Sequence, residues 1–137
     1  VVTIRKVTAA DFEEVYTSLL VQFRSAELTR EDYRRLFIRQ WDSAEDWHGF
    51  AMVDDGVIVG FIGLIFATRP VRGTPRRFVN ISHWIVQPPY RGPQSLSLLF
   101  QVLKLPDCTL TTFTPTPAVT PLYDRLKWPE LDHRCHI

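Results

Sequence analysis

A chain of 137 residues, 45% apolar and 23% charged, suits one globular domain with a real hydrophobic core. A net charge of +1 excludes a polyanion binder that works through bulk charge. No apolar run approaches the roughly 18 residues of a membrane span, and two cysteines do not make a disulfide scaffold, so a reducing cytoplasm is the simplest location. Val1-Val2-Thr3-Ile4-Arg5 has no signal-peptide profile and no initiator Met, so a domain trimmed from a longer protein is expected.

Thr3 to Val7 reads as a first strand. Thr8-Ala9-Ala10-Asp11 is a helix start, and Phe12, Val15, Tyr16, Leu19, Leu20 and Phe23 follow at helical spacing. Thr29-Arg30-Glu31-Asp32 repeats the start, with Tyr33, Leu36, Phe37 and Trp41 as its apolar face. Phe50 to Val53, the turn Asp54-Asp55-Gly56 and Val57 to Thr68 read as a hairpin. Arg69 to Arg77, rich in Pro, Gly and Arg, reads as a connecting loop, and Phe78 to Val86 as a strand ended by Pro88-Pro89. Leu96, Leu99, Val102 and Leu103 restore helical periodicity until Pro106-Asp107. Cys108 to Thr114 is a Thr-rich strand. Pro117 opens a helix with Val119, Leu122, Tyr123 and Leu126 on one face, and Leu131 to Ile137 is a last strand. The order β-α-α-β-β-β-α-β-α-β predicts a single-domain α/β (α+β) sheet of about six strands with four helices on its two faces.

The chemically informative stretch is Val86-Gln87-Pro88-Pro89-Tyr90-Arg91-Gly92-Pro93-Gln94-Ser95-Leu96. A strand ends, a loop with Pro and Gly turns, and a helix begins. The first N–H groups of such a helix point back over the strand end and favour an anion, to which Arg91 adds a charge. Element order and this motif together, with the late Pro121-Leu122-Tyr123-x-x-Leu126, resemble the GNAT superfamily of acyl-CoA-dependent N-acetyltransferases over nearly the whole chain. The resemblance implies a mixed, mostly antiparallel sheet and acetyl-CoA or another acyl-CoA as co-substrate, with no metal. It also implies direct attack by the amine of a small molecule or peptide.

By that resemblance, Arg91, Gly92, Gln94, Ser95 and Leu96 form the pyrophosphate loop, whose family pattern is Arg/Gln-x-x-Gly-x-Gly/Ala. Arg91 fits the first position. Gln94 and Leu96 stand where the family has small residues, and Pro93 has no N–H to give. Backbone groups of Trp84, Ile85 and Val86 would meet the pantetheine arm where the fourth and fifth strands splay, with Thr112, Phe113 and Thr114 across the gap. Tyr123 matches the family's proton donor to the departing thiolate, although its place on the Val119/Leu122/Leu126 face equally suits a core tyrosine. Ser82 holds the position where many members carry a Glu base. His83 is the nearby group that titrates near neutral pH, as a base or as a structural histidine. Strand alternation predicts His83 on one face with Ile81 and Ile85, and Ser82 with Trp84 on the other. The resemblance also implies two closing strands after the last helix. A domain that has lost its loop glycines and serves binding or assembly is the rival reading.

Other signals are set aside. His133-x-Cys135-His136 has ligand residue types but no second cluster to complete a metal site. Cys108 has no base placed beside it by sequence. Arg69, Arg72, Arg76 and Arg77 read by default as a solvated hairpin tip rather than a contact to nucleic acid, an acidic partner or the phosphates of a cofactor. A homo-oligomer is left open.

Overall fold

In the computed structural model, which describes residues 1–23, 25–38, 41, 43–113 and 115–130, five strands form one sheet in the order β1-β2-β3-β4-β5. They are β1 (Val2–Thr8), β2 (Trp47–Asp54), β3 (Val57–Val71), β4 (Thr74–Val86) and β5 (Thr109–Thr111). The first four pair antiparallel with their neighbours, and β5 lies parallel to β4. Four helical segments cover the sheet: α1 (residues 9–23), α2 (residues 30–37), α3 (Pro93–Leu103) and α4 (Thr120–Arg125). The expected last strand, Leu131 to Ile137, lies outside the described residues, as do Thr114, His133, Cys135 and His136.

Local chemistry explains the helix starts. The Thr8 N–H donates to Asp11 Oδ2 at 2.8 Å, opening α1. At α2 the exchange is mutual: the Thr29 N–H donates to Asp32 Oδ2 (2.8 Å), and the Asp32 N–H donates to Thr29 Oγ1 (3.2 Å). Tyr16–Leu20 within α1 is wound as a π-helix.

Each face of the sheet has its own core. Phe12, Val15, Leu19 and Leu20 of α1, with Tyr33 and Phe37 of α2, bury against Ala51, Ile58 and Phe61. Leu98, Leu99 and Val102 of α3 bury on the other face against Met52, Ile62, Leu64 and Val79, where Leu122, Leu126 and Trp128 also pack. Each fully buried aliphatic side chain contributes about 1.5–3 kcal/mol. Several predicted stripes need correction at their ends. Phe23 is 42% exposed, Trp41 lies past the end of α2, Leu98 replaces Leu96 and Leu103 in the α3 stripe, and α4 begins at Thr120 rather than Pro117.

The largest correction concerns residues 69–77, predicted as a loop. β3 and β4 run on through them as one long hairpin, with Arg69 facing Arg76 and Pro70 facing Pro75. Arg72 and Gly73, at φ 51° and 78°, make a tight two-residue turn. The prolines are tolerated because the outer edges there are unpaired: β2 pairs with β3 only as far as Gly49↔Gly63, and β5 pairs with β4 only at residues 78–80. Arg77 departs from a solvated tip, with its side chain 26% exposed. Its Nη2 is ion-paired with Glu45, its Nη1 donates to the Pro106 carbonyl at 3.0 Å, and its guanidinium lies over the Phe66 ring.

One irregularity sets the geometry of the site. Gly63 pairs with His83 but Leu64 pairs with Ile81, so Ser82 is an extra residue in β4. The bulge breaks the predicted alternation. Ile81 and Trp84 join the α3/α4 core, whereas His83 meets the Tyr33 ring and Ile85 packs in the α1/α2 core. A Cβ at Gly63 would lie 2.6 Å from Ser82 Oγ and 3.1 Å from the Phe61 ring, so Ser82 turns to the α1/α2 face as well. Across the same row, a Cβ at Gly49 (φ 147°) would sit 2.1 Å from the Ile62 carbonyl oxygen. Only glycine fits there.

Candidate functional site

Pairing between β4 and β5 covers three rungs and ends at Asn80↔Thr111, where Thr111 Oγ1 and Asn80 Oδ1 lie 3.1 Å apart in a side-chain hydrogen bond. β4 then continues to Val86 with β3 as its one strand neighbour among the described residues. Ser82, His83, Trp84, Ile85 and Val86 all lie on this part of the strand. The expected strand from Cys108 to Thr114 is shorter than predicted: Thr112 and Phe113 have left the sheet, and Phe113 is 70% exposed. Beyond Asn80, no strand among the described residues pairs with that edge of β4.

Tyr123 stands on the far wall. Its side chain is buried, and its ring packs on Trp128 at 4.8 Å between centroids. Burial raises the phenol's pKa, and a hydrogen bond with the Thr112 side chain opposes the rise. The end of α4 fixes this pair. Lys127 adopts φ 59°, its N–H donates to the Asp124 carbonyl (3.0 Å), and the Trp128 N–H donates to the Tyr123 carbonyl (3.1 Å). A groove of about 650 Å³ runs beside β5, lined by Leu110, Thr112, Phe113, Tyr123 and Trp128 among others, with no β4 residue.

His83 lies on the α1/α2 side, its ring 5.8 Å from that of Tyr33. The Tyr33 hydroxyl accepts the Ser25 N–H at 2.9 Å, which holds the ring in place. Burial lowers the His83 pKa, so the imidazole is neutral at neutral pH, and its Nδ1 has no hydrogen-bond partner among the described residues.

The strand end and turn are tied at four points. The Gln87 N–H donates to the Val59 carbonyl (2.9 Å), and Gln87 Nε2 reaches the Ser18 carbonyl in the π-helical stretch of α1 (3.3 Å). The Tyr90 hydroxyl donates to Asp54 Oδ2 at 2.7 Å; this bond lowers the Asp54 pKa and raises that of Tyr90. Arg91 Nε donates to the Val86 carbonyl (3.0 Å), with the guanidinium over the Phe23 ring. Gly92 takes φ 91°, ψ −139° as the residue before α3, and a Cβ there would meet nothing within 4 Å. The turn therefore needs glycine for its dihedral angle, and its backbone faces open space. Pro93 is the first helical residue. The Ser95 N–H and Oγ both bond back to the Gly92 carbonyl (3.0 and 2.7 Å), while Gln94 is exposed and Leu96 half-buried.

The structure thus gathers Ser82, His83, Trp84, Ile85 and Val86 along one open strand edge. Arg91, Gly92, Gln94, Ser95 and Leu96 sit at the end of that edge, and Tyr123 with Thr112 stands on the β5 side. Among the described residues no group of three or more His, Cys, Asp or Glu is placed to hold a metal. Cys108 is half-buried, with its thiol pKa raised by burial. Sequence reasoning missed Gln87, Asp54 and Phe23 as supports of the turn. Tyr90 stood in the motif as a signal, but its partner Asp54 lies 36 residues away in sequence and could not be paired with it in advance.

Comparison with known proteins agrees with this fold. The model of the acetyltransferase (GNAT) family matches residues 12–127. No curated protein matches the chain. Among solved structures, glucosamine-6-phosphate N-acetyltransferase from Arabidopsis thaliana superposes with a TM-score of 0.70 at 18% identity, covering 100% of this chain and 97% of that one. An acetyltransferase from Trypanosoma brucei gives 0.69 at 17% identity over 100% and 99% of the two chains. A predicted acetyltransferase from Clostridium acetobutylicum, solved with acetyl-CoA, gives 0.72 at 13% identity over 100% and 96%.

Proposed function

The chain belongs to the GNAT acetyltransferase family, and from that premise we propose that it transfers an acetyl or other acyl group from acyl-CoA to an amine by direct attack. The observation that carries this reading is the parting of β4 from β5 beyond Asn80–Thr111, with the open edge leading into the Gly92 turn and the start of α3. Exposed backbone amides along a strand edge suit the amide-bearing pantetheine arm. The turn suits a pyrophosphate through its open backbone at Gly92 and the positive end of α3. Arg91 adds charge: Nε is held by the Val86 carbonyl, and its other nitrogens make no hydrogen bond among the described residues. Solved relatives named as glucosamine-6-phosphate and ribosomal-protein-alanine N-acetyltransferases support an amine acceptor, small or proteinaceous, without choosing between them. A free Cys108 fits a reducing, cytoplasmic setting.

In this reading the acceptor amine attacks the thioester carbonyl carbon. The C–N bond forms and the C–S bond breaks as the tetrahedral intermediate collapses. Neutral His83 accepts the proton lost by the amine, directly or through Ser82. Tyr123 gives its proton to the departing thiolate, and the two groups return to their resting states by exchange with solvent. A lowered imidazole pKa keeps His83 unprotonated before attack. The raised phenol pKa keeps Tyr123 protonated until sulfur leaves.

A second reading is favoured by one feature. Pro93 has no N–H, and Gln94 and Leu96 place side chains where the family has small residues. A domain that kept the fold for binding or assembly would look the same. Titration calorimetry with acetyl-CoA tests both. Saturable binding by the natural chain supports the transferase. No binding at millimolar acetyl-CoA, together with binding by the Gln94→Gly/Leu96→Gly variant, establishes the module.

A further inference from the structure

The long β3–β4 hairpin sets four rungs in line on one face. Gly63 faces His83, Ile65 faces Asn80, Ala67 faces Phe78, and Arg69 faces Arg76. Alternation from Phe61, buried in the α1/α2 core, puts Gly63, Ile65, Ala67 and Arg69 on that side of the sheet. Val79 and Ile81, buried in the opposite core, leave Arg76, Phe78 and Asn80 on the α1/α2 side as well. The helices do not cover this stretch. Ile65, Ala67 and Phe78 are half-buried and belong to neither packed core. A groove beside Ile65 is walled by Leu36, Ile38 and Trp41, and the last two are 50% and 42% exposed.

The outer rung carries charge that the fold leaves unbalanced. Arg69 and Arg76 stand directly opposite each other, both exposed, and neither has an ion pair or hydrogen bond among the described residues. Like charges facing each other across a ladder repel. The sequence has no acidic residue from Gly56 to Pro106 to relieve them, and Glu45 is engaged by Arg77 on the opposite face. A carboxylate seated between the two guanidinium groups would remove the repulsion and accept charge-assisted hydrogen bonds from both.

From the Gly63–His83 rung to the Arg69–Arg76 rung is six residues of β3, roughly 20 Å. An extended peptide of about six residues covers the same distance. The floor between the two ends is apolar at Ile65, Ala67 and Phe78, which suits peptide side chains better than a sugar-phosphate backbone. Nucleic-acid binders of ordinary affinity make about six to ten phosphate contacts, more than Arg69, Arg72 and Arg76 can supply. We propose that this face seats an extended peptide acceptor, its reacting amine beside His83 and an acidic side chain about six residues further on held by Arg69 and Arg76. The proposal rests on the acyltransferase reading above and names the substrate class of that same site.

The test uses a peptide with a free N-terminal amine, a glutamate about six residues on and a fluorophore at its C-terminus. Its partner carries glutamine in place of the glutamate. By fluorescence anisotropy the natural chain should bind the glutamate peptide roughly five- to ten-fold more tightly. Arg69→Gln/Arg76→Gln should abolish that preference, and both residues are exposed, so the fold should survive the change. In acetyl transfer from acetyl-CoA the preference should appear in KM, and moving the glutamate next to the amine should remove it. If acetyl-CoA binds and the two peptides are bound and acetylated alike, the docking face is overturned while the transferase reading stands. The arginines then serve only to keep an exposed strand edge from pairing. Tighter binding of a single-stranded oligonucleotide of equal charge, lost in the same variant, overturns the proposal in favour of nucleic acid. If acetyl-CoA does not bind, the transferase reading falls, and the acceptor role falls with it even where the glutamate peptide still binds through the arginines.

Discussion

Residues 74–81 and 82–86 of β4 belong to one strand but live in different bonding environments. The first part has β3 along one side, and its residues 78–80 have β5 along the other. Its polar side chains work for the scaffold: Arg77 ties Glu45 to the Pro106 carbonyl, and Asn80 bonds Thr111, with Arg77 Nε alone left over. The second part has β3 alone, and its two buried ring nitrogens, on His83 and Trp84, are unpartnered. A single inserted residue, Ser82, marks the change. The contrast teaches that polar bonding is uneven along this strand. Beside the β5 pairing the polar groups hold the fold, and past it two buried ring nitrogens have no hydrogen-bond partner among the described residues.

Three substitutions would break or sharpen that contrast. The largest effect is expected from Gly49→Ala, in the row that runs Gly49, Gly63, His83 across three strands. The added Cβ would sit 2.1 Å from the Ile62 carbonyl oxygen at a φ of 147°, so β2 and β3 must separate. A loss of about 3 kcal/mol or more is expected, read as a fall in the denaturant midpoint; a loss below about 1 kcal/mol would show that the row gives way freely.

Next comes Arg77→Met, which keeps a stem over Phe66 but removes the bonds to Glu45 and Pro106. Both ion-pair partners are about one-quarter exposed, which tempers the effect to about 1–2 kcal/mol. Acetyl-CoA affinity should not change, because this residue serves the paired half alone. A large loss of affinity at unchanged fold would erase the proposed division of labour.

The smallest effect is a slope with pH. Burial depresses the folded-state pKa of His83 below its ordinary value of 6.5. As pH falls past about 6.5, the unfolded chain takes up this proton before the folded one, so stability present above that pH declines as acid is added. His48, also depressed by burial against the opposing charge of Asp46, acts in the same direction. His83→Asn should flatten part of the decline in melting temperature between pH 7 and pH 5 and leave the His48 part. An unaltered slope would show that His83 titrates in the folded protein as it does in the unfolded chain.

How much of this was legible in advance differs from one element to the next. Helix starts at Thr8 and Thr29 were readable because a capping exchange spans only three residues. So was the Val86-to-Leu96 junction, where Pro and Gly dictate the backbone locally. The hairpin through residues 69–77 was misread because Pro argues against a strand unless it lies on an unpaired edge. That condition depends on where β2 stops pairing. Ile81 and Ser82 were placed on the wrong faces relative to His83 and Trp84 for a related reason: alternation assumes a regular ladder, and a bulge is a property of two strands together.

Sequence alone therefore determined the order of elements from the first strand to the last helix, the two-faced sheet, the strand–turn–helix junction at Arg91-Gly92 and the candidacy of His83 and Tyr123. These follow from periodicity, caps and residue chemistry within short windows, and from the likeness those windows bear to one family. Tertiary structure alone decided that β4 parts from β5 after Asn80, that Arg77 is a clamp, that Tyr90 leans on Asp54, and that Ser82 and His83 share a face. Each depends on register between segments distant in the chain, and register is settled by the packing of whole faces rather than by the preferences of neighbouring residues.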